Sequence, residues 1–160
     1  MTEFSECFPP VTQRNTKVLV LGSLPGAISL SQQQYYAHPR NHFWPIIAEI
    51  ILPEILPTNY PERLSALLSA QIGLWDVVAK AQRKGSLDND IREATHNSLG
   101  GLIETLPALK LVVFNGKTAG KAASQLPEGL AHLVLPSTSP AYTLPFKEKL
   151  AAWLAIKDYL

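Results

Sequence analysis

The chain has 160 residues, 46% of them apolar and 17% charged, with a net charge of +1. That length and balance suit one folded domain with a substantial core and exclude a disordered chain. A net charge so near zero excludes a global basic field, so contact with nucleic acid would have to come from a local patch. The single cysteine, Cys7, excludes an intramolecular disulfide, a four-cysteine zinc site and a cysteine-ligated iron–sulfur cluster within the chain. It is read as a free thiol in a reducing compartment. No basic stretch followed by an apolar run opens the sequence, and runs such as Ile46 to Leu52 are too short to cross a bilayer. A cytoplasmic monomer without membrane contact is expected.

Met1 to Thr16 is polar and proline-containing, an arm before the first strand. Val18 to Leu21 is a continuous apolar run closed by Gly22, the pattern of a strand buried on both faces. Asn41 to Ile51 carries Phe43, Ile46, Ile47, Ile50 and Ile51 at helical intervals, and Pro45 fits its first turn. Pro61 suits the start of a helix through Leu64, Leu67 and Leu68, and Ile72 to Val78 is a short strand. Lys80 to Asp90 is the most polar stretch and is expected to be a loop. Asn97 is placed to cap a helix through Leu99, Leu102, Ile103 and Leu106. Leu109 to Phe114 is the clearest strand, followed by Asn115-Gly116 and a helix from Thr118 to Leu126. His132 to Leu135 makes a fourth strand. Thr143 and Pro145 then open a last helix with a stripe of Phe146, Leu150, Trp153, Leu154 and Ile156.

Strands alternating with helices predict an α/β fold: a three-layer α/β/α sandwich around a mainly parallel four-stranded sheet, in one domain over residues 1–160. The loops after Gly22, Asp76, Asn115-Gly116 and Ser137 should converge at the carboxyl end of that sheet, where open α/β folds bind ligands.

Two segments there carry chemistry. In Gly22-Ser23-Leu24-Pro25-Gly26, small residues let backbone N–H groups approach an anion, although the spacing fits neither the nucleotide P-loop nor the dinucleotide fingerprint. Tyr35 to Trp44, YYAHPRNHFW, crowds stackable rings, two imidazoles, a guanidinium and a carboxamide into one loop. His38 and His42 have the spacing of a metal pair, but Pro39 opposes a helix through both and no Glu follows His38, so no metal site is expected. Asp88-Asn89-Asp90 reads as a solvated loop that could hold a cation. Asp76 ends a strand and is placed to line the cleft, with no role assigned.

Together with Pro136-Ser137-Thr138-Ser139-Pro140-Ala141, these segments resemble the uracil-DNA glycosylase superfamily. The likeness is closest to its hypoxanthine-DNA (deoxyinosine) glycosylases and extends to the mismatch-specific uracil/thymine glycosylases. It covers most of the chain in order. It implies a monofunctional, cofactor-free glycosylase that flips a deaminated base, with hypoxanthine favoured, from double- or single-stranded DNA and leaves an abasic site. By the same resemblance Tyr36 stacks on the base, Asn41 orients the water and Asn115 reads the purine edge. Ser23, Gly26, Ser137 and Ser139 grip phosphates, and Tyr142 or Leu144 wedges into the vacated stack. Read as residues alone, Asn41 is a helix cap, Asn115 a left-handed turn residue, and Tyr35, Phe43 and Trp44 packing.

The chain departs from the superfamily at two points. Leu24 stands where other members place Asp or Asn, and Ser137-Thr138 replaces the usual His-Pro or Asn-Pro. Both departures weaken a uracil assignment. A uracil or G/T(U) mismatch glycosylase, and a non-catalytic nucleic-acid or nucleotide-binding module, are the alternatives. No lysine lies in either motif, so no lyase step is implied.

Overall fold

The structure, a computed structural model, describes residues 4–83, 86–88 and 91–160, with backbone alone at Glu93. Its strands are β1 (Phe4–Glu6), β2 (Val18–Gly22), β3 (Ile72–Asp76), β4 (Val78–Arg83), β5 (Ile91–His96), β6 (Leu111–Asn115) and β7 (Ala131–Leu135). Its helices are α1 (Ala27–Gln32), α2 (Phe43–Ile50), α3 (Tyr60–Ser69), α4 (Leu99–Ile103), α5 (Lys117–Gly120) and α6 (Phe146–Trp153). Short 3₁₀ turns continue α5 through Lys121–Gln125 and α6 through Leu154–Tyr159.

The apolar runs β2, β3, β6 and β7 form the expected sheet, parallel throughout, in the order β3-β2-β6-β7. Alternation along β2 divides the core. Val18 and Val20 face α2, α3 and α6 and pack with Phe43, Ile46, Ile47, Leu67, Trp153 and Ile156. Leu19 and Leu21 face the other way, onto Leu99, Leu106, Ala119 and Ala122 from α4, α5 and their flanking turns. All four β2 side chains have no exposed surface. Each such burial is worth roughly 1.5–3 kcal/mol, so the central strand anchors both outer layers.

Lys80 to Arg83, the start of the stretch expected to be a loop, belongs instead to strand β4. β4 and β5 pair antiparallel, and β1 adds to the outer edge, giving a second sheet in the order β1-β4-β5. Val78, Ala81 and Arg83 are buried while Lys80 is exposed. An antiparallel ribbon wet on one face does not need an apolar sequence, so its residue pattern resembles that of a loop. Asn89 and Asp90, named above as possible cation ligands, lie outside the described residues. The arm before β2 carries β1 and is stitched on further by a Val11–Leu74 bridge and by the Cys7 N–H donating to the Ala79 carbonyl.

Helix α4 also differs in its cap. The Ser98 side chain accepts from the Gly101 N–H, while the neighbouring Asn97 Nδ2 donates to the Asp76 carbonyl at 2.7 Å. Asn97 therefore ties the second sheet to the end of β3. No helix among the described residues is long and apolar enough to cross a membrane.

Candidate active site

The carboxyl ends of β2, β3 and β6 and the segment after β7 open onto one cleft of about 820 Å³. Ser23, Gly26, Tyr36, Asn41, Asp76, Asn115, Ser137, Ser139 and Tyr142 all line it. Of the residues singled out in the sequence as DNA contacts, Leu144 alone does not; it is half-buried outside the cleft lining. The volume suits a small organic ligand.

Gly22 closes β2 where three groups meet. A Cβ there would stand 2.7 Å from Asp76 Oδ1 and 3.2 Å from the Tyr36 hydroxyl, so only glycine admits both neighbours. The turn that follows is pinned by Arg83 at the end of β4 and by Ser86. The Ala27 N–H donates to Ser86 Oγ at 2.8 Å, and the buried Arg83 guanidinium donates to the Pro25 carbonyl. Ser23 Oγ donates to Asp88 Oδ1 at 2.6 Å. That arrangement differs from the phosphate contact expected of Ser23: its proton is engaged and a carboxylate stands beside it. Leu24 is buried against Val78 and Ala81.

The aromatic loop splits into packing and cleft. Tyr35, Phe43 and Trp44 are buried, and Trp44 Nε1 donates to the Tyr35 carbonyl at 3.0 Å. Tyr36 is half-buried and holds φ at 57°, a left-handed conformation that costs a non-glycine residue roughly 1–3 kcal/mol and persists only where its surroundings enforce it. One face of its ring stacks on Phe43, with centroids 4.0 Å apart. Its hydroxyl is buried without a hydrogen-bond partner. Burial, and then the neighbouring Asp76 charge, push the Tyr36 hydroxyl well above the usual phenol range, with Asn115 opposing.

Asn41 Oδ1 accepts the Phe43 N–H at 2.9 Å, the cap-like contact that its position before α2 suggests, while Nδ2 has no protein partner among the described residues. His38 Nδ1 accepts the Arg40 N–H, and the His42 ring meets Phe146 edge-on. Among the described residues no group of three or more side chains could hold a metal ion.

At the end of β6, Asn115 and Thr138 pair through two hydrogen bonds. The Thr138 N–H donates to Asn115 Oδ1 at 2.9 Å, and Asn115 Nδ2 donates to Thr138 Oγ1 at 3.0 Å. The left-handed turn residue is Gly116, with φ of 97°, and not Asn115. Beyond it the Ser139 N–H donates to Ser137 Oγ and the Ala141 N–H to Ser139 Oγ. Each serine thus accepts from the backbone and keeps its own proton to donate. Tyr142 stands 46% exposed at the rim.

Asp76 is more prominent than the sequence suggested. It is 3% exposed, its Oδ2 has no hydrogen-bond partner, and it lines the cleft floor. Burial raises its pKa to about 7, with the Asp88 charge adding and Arg83 opposing. Thr138, Arg83 and Lys149 are the contributors that sequence reasoning missed. Lys149 had left a trace, since it falls three residues after Phe146 and four before Trp153, on the apolar stripe of α6.

Residues 9–159 match the family model described as the uracil DNA glycosylase superfamily. The chain is 41% identical over 147 residues to a protein named hypoxanthine DNA glycosylase from Methanosarcina barkeri (strain Fusaro / DSM 804), covering 91% of this chain and 93% of that one. It is 39% identical over 151 residues to a protein of the same name from Methanosarcina acetivorans, covering 93% and 95%. A solution NMR structure of a protein from Methanosarcina acetivorans superposes with a TM-score of 0.87 at 38% identity, covering 97% of each chain.

Proposed function

Because the chain belongs to the uracil DNA glycosylase superfamily, we propose that it excises hypoxanthine from DNA by hydrolysing the N-glycosidic bond of a flipped deoxyinosine. The observation that carries this reading is the 41% and 39% identity, over nearly the whole of each chain, to two proteins named for that activity.

The cleft has the parts the reaction needs. Extruding a nucleotide from the stack requires a pocket that replaces stacking and reads an edge. Tyr36, backed by Phe43, offers a ring face to the base. The Asn115 carboxamide and the Asp76 carboxyl stand at the cleft floor, where the base edge would lie. In its neutral form Asp76 both donates and accepts, which suits a purine lactam that presents a carbonyl next to an N–H.

Water held by Asn41 adds to C1′ while the C1′–N9 bond breaks. The bonding pair leaves on the base, a proton from the water ends on it, and an abasic sugar remains. Positive charge that develops on the sugar is stabilised by the cleft electrostatics and by the DNA's own phosphates. Ser137 and Ser139, with free hydroxyl protons, are the phosphate donors, and Tyr142 at the rim is the wedge.

Duplexes carrying inosine, uracil or xanthine, incubated with the protein and then treated with alkali, test the reading. Breaks should form fastest at inosine. Uracil release as fast from the same duplex would replace hypoxanthine with uracil. Retardation of DNA without any abasic site would instead make this a binding module.

A further inference from the structure

We propose that Lys149 is a positioning residue of the DNA-binding rim, whose buried ammonium fixes the Ser139–Tyr142 turn and is neutralised by the DNA phosphate that the turn receives. This rests on the function proposed above.

Lys149 has no exposed surface, which is rare for a lysine without a charged partner. Its Nζ donates to the Ser139 carbonyl at 3.2 Å and to the Tyr142 carbonyl at 2.8 Å, and it lies 5.4 Å from the Tyr142 ring centroid. Neither ion pair among the described residues includes it. Two neutral carbonyls satisfy hydrogen bonds but leave a full positive charge uncompensated in a poorly solvated site. Burial accordingly moves the ammonium below its usual range, and its charge, after burial, holds down the neighbouring His42 imidazole.

Clamping two carbonyls does not by itself require a charge. The charge acquires a purpose from what the turn presents. The Ser137 and Ser139 oxygens accept backbone N–H groups, so their hydroxyl hydrogens are available to an anion. Trp153, one turn further along α6, holds the start of the segment by donating from Nε1 to the Pro136 carbonyl at 2.9 Å. Helix α6 thus grips both ends of the rim and places a fixed positive charge beneath it. A phosphate on the serines would supply the missing anion without direct contact with Lys149.

The test compares Lys149→Met and Lys149→Arg with the unaltered protein in binding to a duplex bearing a stable abasic analogue, across a salt series. Loss of one neutralised phosphate should make the log–log salt slope shallower by about 0.9 in the methionine variant, and the arginine variant should restore it. The affinity gap should accordingly narrow about threefold between about 50 and about 200 mM salt. An unchanged slope in a folded Lys149→Met, or failure of Lys149→Arg to restore it, would overturn the proposal.

A second measurement needs no variant. Inorganic phosphate titrated into the unaltered protein should shift the Ser139, Ala141 and Tyr142 amide resonances saturably and raise the His42 pKa. Absence of both changes would overturn the proposal even where Lys149→Met does not fold. Release of hypoxanthine by the unaltered protein is read separately. Release with an unchanged salt slope removes this inference alone, whereas no release of any base removes the functional reading beneath it.

Discussion

The Asn115 carboxamide faces Thr138 and exchanges two hydrogen bonds with it, one to the Thr138 backbone and one to its hydroxyl. Both residues are buried, so the end of β6 is tied directly to the Ser137–Tyr142 segment. Thr138→Val removes the hydroxyl acceptor while keeping the shape, and leaves one buried amide proton unpaired. It should cost about 1–3 kcal/mol of stability. Excision should fall with it, since the Ser137–Tyr142 rim loses its tie. Chemical denaturation and single-turnover assays on the same preparation check both, and full stability in Thr138→Val would show the hydroxyl bond to be idle.

The local hydrogen bond that Asn41 makes and the water-orienting role proposed for it can be separated. Its Oδ1 accepts the N–H of Phe43, the first residue of α2, and Asn41→Ala, which removes that cap-like contact, should lose about 0.5–2 kcal/mol of stability. If it also orients water, the single-turnover rate should fall about 10²–10⁴-fold per folded molecule. Asn41→Asp keeps the cap and should recover stability without recovering rate. Normal turnover by the alanine variant would leave the cap as its whole role.

Tyr36→Phe removes a hydroxyl that is buried without a partner, so stability should hold or rise slightly. The ring face is unchanged, and excision should stay near the parental rate. Tyr36→Ala loses the stack on Phe43 and should weaken capture of the flipped base by about 1–3 kcal/mol. Thermal melts beside single-turnover excision separate the two losses. An alanine variant that is destabilised yet excises normally would remove Tyr36 from base capture.

Asp76 sets a pH dependence whose sign follows from its raised pKa. An unfolded Asp titrates near 3.9, whereas in the fold Asp76 titrates at about 7. Between these values the folded state holds the extra proton, so this group's stabilising contribution is complete at low pH and is lost as pH rises through about 7. The loss is at most roughly 1.4 kcal/mol per pH unit. Asp76→Asn should flatten that decline and be relatively more stable at pH 8 than at pH 4. Parallel denaturation curves for the two proteins across this range would show Asp76 ionised throughout.

The sequence by itself determined the architecture and the place of the site. Val18 to Leu21 and Leu111 to Phe114 are apolar without interruption, so they had to be central strands, and alternation with helical stripes made the sheet parallel. The two motifs then had to meet at its carboxyl end. Periodicity is local, however, and it does not record partners distant in the chain. Ser23 finds Asp88 across 65 residues and Asn115 finds Thr138 across 23, and only the folded chain chose those pairings. The β1-β4-β5 sheet was hidden because a half-wet ribbon and a loop share a composition. Asp76 and Lys149 are ordinary charged residues in the sequence. Tertiary packing alone removed their water, and a charge acquires unusual chemistry only where its solvent has been replaced.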